Sequence, residues 1–187
     1  MVFSILSRLV KGVKGGVTSG LEGVTDVAGA VVGAVKNVTV TTLKESGEFV
    51  SQGVDAAASI VKGSIEGVSA VGGSVVKALK GVVSGTVQGM MDSGAKQDEA
   101  VRGAVGQAVH SAKELGKDVG DAAVASVKGA VDGVKQVGGD TATATKTSVL
   151  AALNAAKEIG DETLSSVKES LVAGVDGAKD IIDAAKE

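Results

Sequence analysis

Side chains able to move protons, bind metals or attack electrophiles are scarce in this chain. It has 187 residues, a single histidine (His110), no cysteine, no tyrosine and no tryptophan. Without thiols there is no disulfide framework, no thiolate nucleophile and no zinc-finger site. One imidazole alone builds neither a histidine metal site nor an acid–base relay. The carboxylate pairs Asp118/Asp121 and Asp161/Glu162 fall on the polar face with no His or Cys beside them. Asp132 and Asp176 precede Lys135 and Lys179 by three residues, the spacing of ion pairs along a solvated helix face. His110 falls on the same charged face. The pattern therefore points away from enzymes: no catalytic, cofactor-binding or metal-ligating residue is expected, and no small-molecule substrate.

Glycine is the residue used most unusually. There are 28 glycines and no proline, where average usage would give about 13 and about nine. Gly-x-x-x-Gly spacings recur at Gly12/Gly16/Gly20, Gly29/Gly33, Gly63/Gly67, Gly81/Gly85/Gly89, Gly116/Gly120 and Gly129/Gly133. Such pairs permit close approach of two helices. They do not mark a nucleotide site, because no strand precedes any of them. Net charge is −3, basic in the first half and acidic in the second. That is too mild for a nucleic-acid footprint, and no aromatic interleaving is present to stack bases. The longest uncharged run, Gly81 to Met91, is far shorter than a transmembrane span. Arg8 interrupts the apolar start, so no signal-peptide core forms and residues 1–17 read as a basic amphipathic helix.

The elements that carry these residues follow from an eleven-residue frame. Steps of eleven from Val10 meet Leu21, Val32, Leu43, Val54, Ile65, Val76, Val87, Asp98, Val109, Gly120, Val131, Ala142, Leu153, Leu164 and Val175. The column from Lys14 holds Lys36, Lys80, Arg102, Lys113, Lys135, Lys146, Lys157, Lys168 and Lys179. The column from Gly12 is Gly, Ala or Ser everywhere except Glu45. Eleven residues make three turns at 3.67 per turn, close to the α-helical 3.6. Wound that way, the columns separate into an apolar arc of roughly 196° and a charged arc, with only Glu45 and Asp98 intruding on the former. Those two should lie at a helix end, at a kink or against a base, because an unpaired buried carboxylate is costly. The fold class is all-α: long amphipathic helices on 11/22-residue repeats, as one repeat region over 1–187. Its parts are residues 1–17, Val/Gly/Thr-rich repeats over 17–104 and regular acidic 22-residue repeats over 105–187.

A doubled period lies on the first. One column alternates Val61, Gly72, Val83, Gly94, Val105, Gly116, Val127, Gly138, Val149, Gly160 and Leu171. Gly116-Lys-Asp118, Gly138-Gly-Asp140 and Gly160-Asp161 suit a C′ glycine followed by an N-cap aspartate. Breaks are expected near Gly15, Gly47, Gly72, Ser93, Gly116, Gly138 and Gly160. Two architectures fit, a near-continuous helix or helical hairpins with glycine turns. The unbroken frame favours continuity, since a loop would ordinarily reset the phase.

Leu21-Glu-Gly-Val-Thr-Asp-Val-Ala-Gly-Ala-Val-Val-Gly-Ala-Val-Lys and Ala125-Ser-Val-Lys-Gly-Ala-Val-Asp-Gly-Val-Lys resemble the 11-residue repeats of synucleins and perilipins. The 22-residue unit is similar to that of exchangeable apolipoproteins. The resemblance implies helices that fold on a membrane or lipid droplet. Together with the wide apolar arc, it leads to the expectation of a non-enzymatic protein that coats a lipid surface. Its apolar interaction face is the Val/Leu/Ile set of the Val10 column and its interfacial bases are the Lys14 column. The alternatives are a self-assembling structural helical protein (filament, shell or bundle) and a late-embryogenesis-type protectant. The expected partners are a lipid surface or copies of the chain, and the expected place is intracellular, peripheral to a membrane or droplet or in a cytoplasmic assembly.

Overall fold

The computed structural model describes residues 2–23, 25–46 and 53–186. Among them lie nine helices and no strand: α1 (Val2–Leu21), α2 (Val27–Ser46), α3 (Gly53–Ala70), α4 (Val75–Asp92), α5 (Gln97–Glu114), α6 (Val119–Gln136), α7 (Thr141–Ile159), α8 (Asp161–Gly174) and α9 (Ala178–Ala184). From α3 to α7 the helix starts fall 22 residues apart. The doubled unit is one helix plus its turn.

Glycine makes each turn possible. Gly72, Gly94, Gly116 and Gly138 have φ of 76°, 91°, 63° and 74°, where a Cβ would strain the backbone. Around Gly94, the Gly94 N–H donates to the Met91 carbonyl at 3.0 Å and the Ala95 N–H to that of Met90 at 3.0 Å. This is a Schellman closure of the helix end. The same pair of bonds recurs at the other three, so the otherwise orphaned carbonyls are satisfied. Asp118 and Asp140 then cap the next helices: Asp118 accepts from the Asp121 N–H, and Asp140 from those of Ala142 and Thr143. At Gly160 the connection shrinks to one residue, and Asp161 enters the first turn of α8 instead of capping it.

The chain is therefore a series of hairpins; the expectation of a near-continuous helix does not hold for the described residues. An 18-residue helix and a four-residue turn together make two elevens, so the frame passes through a turn without losing phase. Gly15 is no break but lies inside α1, between turns that bury Val13 and Val17. Gly47 lies outside the described residues. Two breaks were not expected, between α1 and α2 and at Gly177 (φ 78°) before α9.

Each helix from α1 to α6 packs most extensively on a helix two places away in the chain and next on its sequence neighbours. This defines two layers, α1-α3-α5-α7-α9 and α2-α4-α6-α8. An internal helix then meets neighbours on both sides of its own layer and across the layer gap, leaving one side for water. An apolar arc covering half the helix fits that requirement. The column Val61, Val83, Val105, Val127, Val149 and Leu171 runs through the middle of α3 to α8 and is fully buried throughout. Its glycine partners are the turns.

Candidate functional site

The residues expected to form an interaction face lie inside this stack. Leu21, Leu43, Ile65, Val87, Val109 and Leu153 are buried, and Val10, Val32, Val54, Val76, Val131, Leu164 and Val175 are half-buried. From α3 to α7 every second member of the column, Val54, Val76, Asp98, Gly120 and Ala142, is the second residue of a helix, near the stack's rim, which accounts for the partial exposure of Val54 and Val76. Asp98 is tolerated there: it lies in the first turn of α5, pairs with Arg102 at 2.6 Å and accepts from Thr147 Oγ1 at 2.8 Å. A carboxylate in the first turn also gains from the helix dipole. Glu45 stands in the last turn of α2.

Within the arc, the polar residues turn inward on their own helices. The hydroxyls of Thr39, Ser64, Thr86, Ser126 and Ser148 donate to carbonyls four residues back, at 2.6–2.8 Å. That satisfies the buried group locally and leaves mostly methyl and methylene surface for packing. No described side chain buries an unpaired polar atom.

The Gly-x-x-x-Gly sets are where backbones meet. A Cβ on Gly63 would stand 2.5 Å from the Val10 carbonyl oxygen, one on Gly85 2.6 Å from that of Val32, and one on Gly133 2.8 Å from that of Ser84. These glycines let α3 seat on α1, α4 on α2 and α6 on α4. Three Gly-x-x-x-Gly sets (63/67, 81/85/89 and 129/133) thus serve close approach. Gly12 and Gly33 face open space, and Gly116 belongs to a turn.

The basic column is split. Lys14 reaches Glu66 at 3.8 Å, Lys36 reaches Asp92 at 2.9 Å and Lys80 reaches Asp132 at 2.7 Å. Each ties a helix to the one two places along. Lys113, Lys135, Lys146, Lys157 and Lys179 are exposed and Lys168 is half-buried. The expected Asp132–Lys135 and Asp176–Lys179 pairs do not form, since Asp132 turns to Lys80 instead. His110 is half-buried, and its Nε2 meets Glu158 Oε2 of α7 at 3.0 Å, a further tie within one layer. Gln97 pairs its amide with both backbone groups of Asp140, at 2.8 and 3.0 Å. These long-range ties could not be read from spacing, because the partners lie 43–56 residues apart.

Two carboxyls are displaced below their ordinary range. Asp140 is held low by the hydrogen bond from the Thr143 hydroxyl and then by backbone donors; Asp183 is held low by Lys186. Both belong to helix ends. Among the described residues no group of three or more His, Asp and Glu could hold a metal ion, and no helix is long and apolar enough to cross a membrane. Shallow hollows of about 220–240 Å³ lie beside Leu115 and between α7, α8 and α9.

These features are those of a helical-repeat protein. The chain is similar in fold to the crystal structure of a de novo designed helical repeat protein, DHR7, with a TM-score of 0.55 and 19% identity, covering 100% of this chain and 97% of that one. No family model and no curated protein matches it.

Proposed function

We propose that the chain is a non-enzymatic structural protein, a repeat scaffold whose wide apolar arc serves its own helices. The observation that carries this reading is the fate of the Val10 column: every valine, leucine and isoleucine in it is buried or half-buried by neighbouring helices. Among residues 7–23, 25–26, 30–44 and 53–186, the only large hydrophobic side chains left exposed are Leu115 and Val172. A face already covered has little left to offer a lipid surface unless the stack opens.

Circular dichroism at micromolar concentration, with and without neutral or anionic vesicles, tests it alongside sedimentation velocity. The expected result is full helix content in buffer alone, a cooperative thermal transition and no change on adding vesicles. A chain that is unfolded in buffer and gains helix only on vesicles would overturn the reading in favour of a lipid coat. Helix that appears only with a rise in sedimentation coefficient would replace the self-contained stack by an assembly of copies.

A further inference from the structure

Helix α7 departs from α3 to α6 in a concerted way. Leu150 stands where the equivalent positions, at intervals of 22, hold Lys62, Ser84, Gly106 and Lys128. Asn154 stands where they hold Glu66, Gln88, His110 and Asp132. In earlier repeats this second position carries the acid that answers a lysine across helices, Glu66 to Lys14 and Asp132 to Lys80. One substitution adds a leucine; the other removes a carboxylate.

Both changes face the same hollow. Leu150, Leu153, Leu164 and Ile182 line an opening of about 220 Å³ between α7, α8 and α9, whose remaining lining includes Lys157 and Lys168 and no carboxylate. Lys186 also reaches it but is held by Asp183 at 2.9 Å. Neither Lys157 nor Lys168 belongs to an ion pair among the described residues. An apolar floor with two unanswered ammonium groups at its edge is complementary to a chain carrying one negative head.

We propose that this hollow binds a single-chain anionic amphiphile, a free medium-chain carboxylate, with the chain against Leu150, Leu153 and Leu164 and the head group between Lys157 and Lys168. The volume is below the ~300 Å³ of ordinary drug-sized sites, which suits one short chain and not a two-chain phospholipid. Burial of methylenes supplies the attraction and the lysines select the sign of the head.

The full chain titrated with decanoate below its micellar range, by calorimetry and by amide chemical shifts, tests the site. Decanol and decyltrimethylammonium carry similar chains without the negative charge. Decanoate should bind at least tenfold more tightly than either, with shifts confined to α7–α9. Two variants install what other repeats already carry at exposed or half-exposed helix positions. Leu150→Lys removes the apolar wall and Asn154→Glu restores an acid beside the lysines; each should weaken decanoate at least tenfold with helix content unchanged. No decanoate binding, equal binding of decanol, or affinity unmoved by both variants would overturn the proposal. So would a dimer in sedimentation velocity that Leu150→Lys dissolves and decanoate leaves intact, which would assign the hollow to a second copy.

Discussion

Adding one methyl group at each of two glycines should separate close packing from helix propensity. In Gly85→Ala/Gly89→Ala, the new Cβ at 85 would stand 2.6 Å from the Val32 carbonyl oxygen, and that at 89 would stand 2.6 Å from Thr39 Cβ. Both lie on α2, and ordinary contact begins near 3.4 Å, so α2 must shift outward by roughly 0.8 Å. Overpacking of this kind costs about 1–3 kcal/mol per site. Each Gly→Ala change also gains about 1 kcal/mol of helix propensity. The net for the pair is about 0–4 kcal/mol of destabilisation. The control is Gly12→Ala/Gly106→Ala, also mid-helix, where nothing lies within 4 Å of the new methyl. That pair should gain about 2 kcal/mol. Propensity cancels between the two double variants, leaving a gap of about 2–6 kcal/mol from packing alone. For a chain of this length each kcal/mol moves Tm by about 2–4 °C, so thermal melts followed at 222 nm should differ by at least about 4 °C. Equal shifts in the same direction would refute the claim that these glycines seat one helix on another.

Three further outcomes are expected. Gly138→Ala, at φ 74° in a Schellman turn, should lower stability by about 1–2 kcal/mol, whereas a neutral result in urea titration would remove the left-handed requirement. Asp140→Ala should lower Tm at neutral pH through loss of the α7 cap. Because hydrogen bonds from Thr143 depress the folded pKa of Asp140, the cap's stabilisation is complete above its unfolded pKa and fades as pH falls through the folded one. The gap to the parent should thus close on acidification below about pH 4, and a gap constant from pH 7 to 3 would contradict this. Lys80→Glu and Asp132→Lys should each cost no more than about 1 kcal/mol, and the double exchange should recover most of the loss. Additive losses at low salt would show that the 2.7 Å pair is not energetically coupled.

Much of the local structure was legible because single residues carry strong backbone constraints. The turns at Gly72, Gly116 and Gly138 stand out once valine and glycine are seen to alternate, since only glycine adopts their φ without strain. Asp118 and Asp140 are readable as caps for the same local reason. The connectivity was hidden by a coincidence of lengths: helix and turn together span two elevens, so an uninterrupted frame describes a rod and a stack of hairpins equally well. Near the start the frame conceals even a shift. Gly63 meets Val10 across 53 residues, whereas Gly133 meets Ser84 across 49. Four residues are about one helical turn, so the apolar columns stay in phase through the insertion. The tie partners were beyond reach for a different reason. Asp132 has Lys135 three residues ahead but bonds Lys80, a choice set by how α6 lies on α4 and by no feature of α6 itself.

The composition of the apolar arc bears on which partner it evolved to meet. A lipid interface accepts large side chains and gains with each methylene it buries, so it gives no reason to replace leucine by glycine, which costs about 1 kcal/mol per position in helix propensity. A two-layer stack does give one. In-layer neighbours here approach until a Cβ on Gly89 would meet Thr39 Cβ at 2.6 Å and one on Gly133 the Ser84 carbonyl oxygen at 2.8 Å. At that separation the valines and alanines beside the glycines, Val13 and Val35 among them, bury completely, with no aromatic needed to fill the gap. The glycines that cost helix propensity are thus repaid at helix–helix contacts. Gly12, on the arc, and Gly106, on the charged side, touch nothing within 4 Å; no helix contact calls for glycine at either, which is why they serve as the control pair.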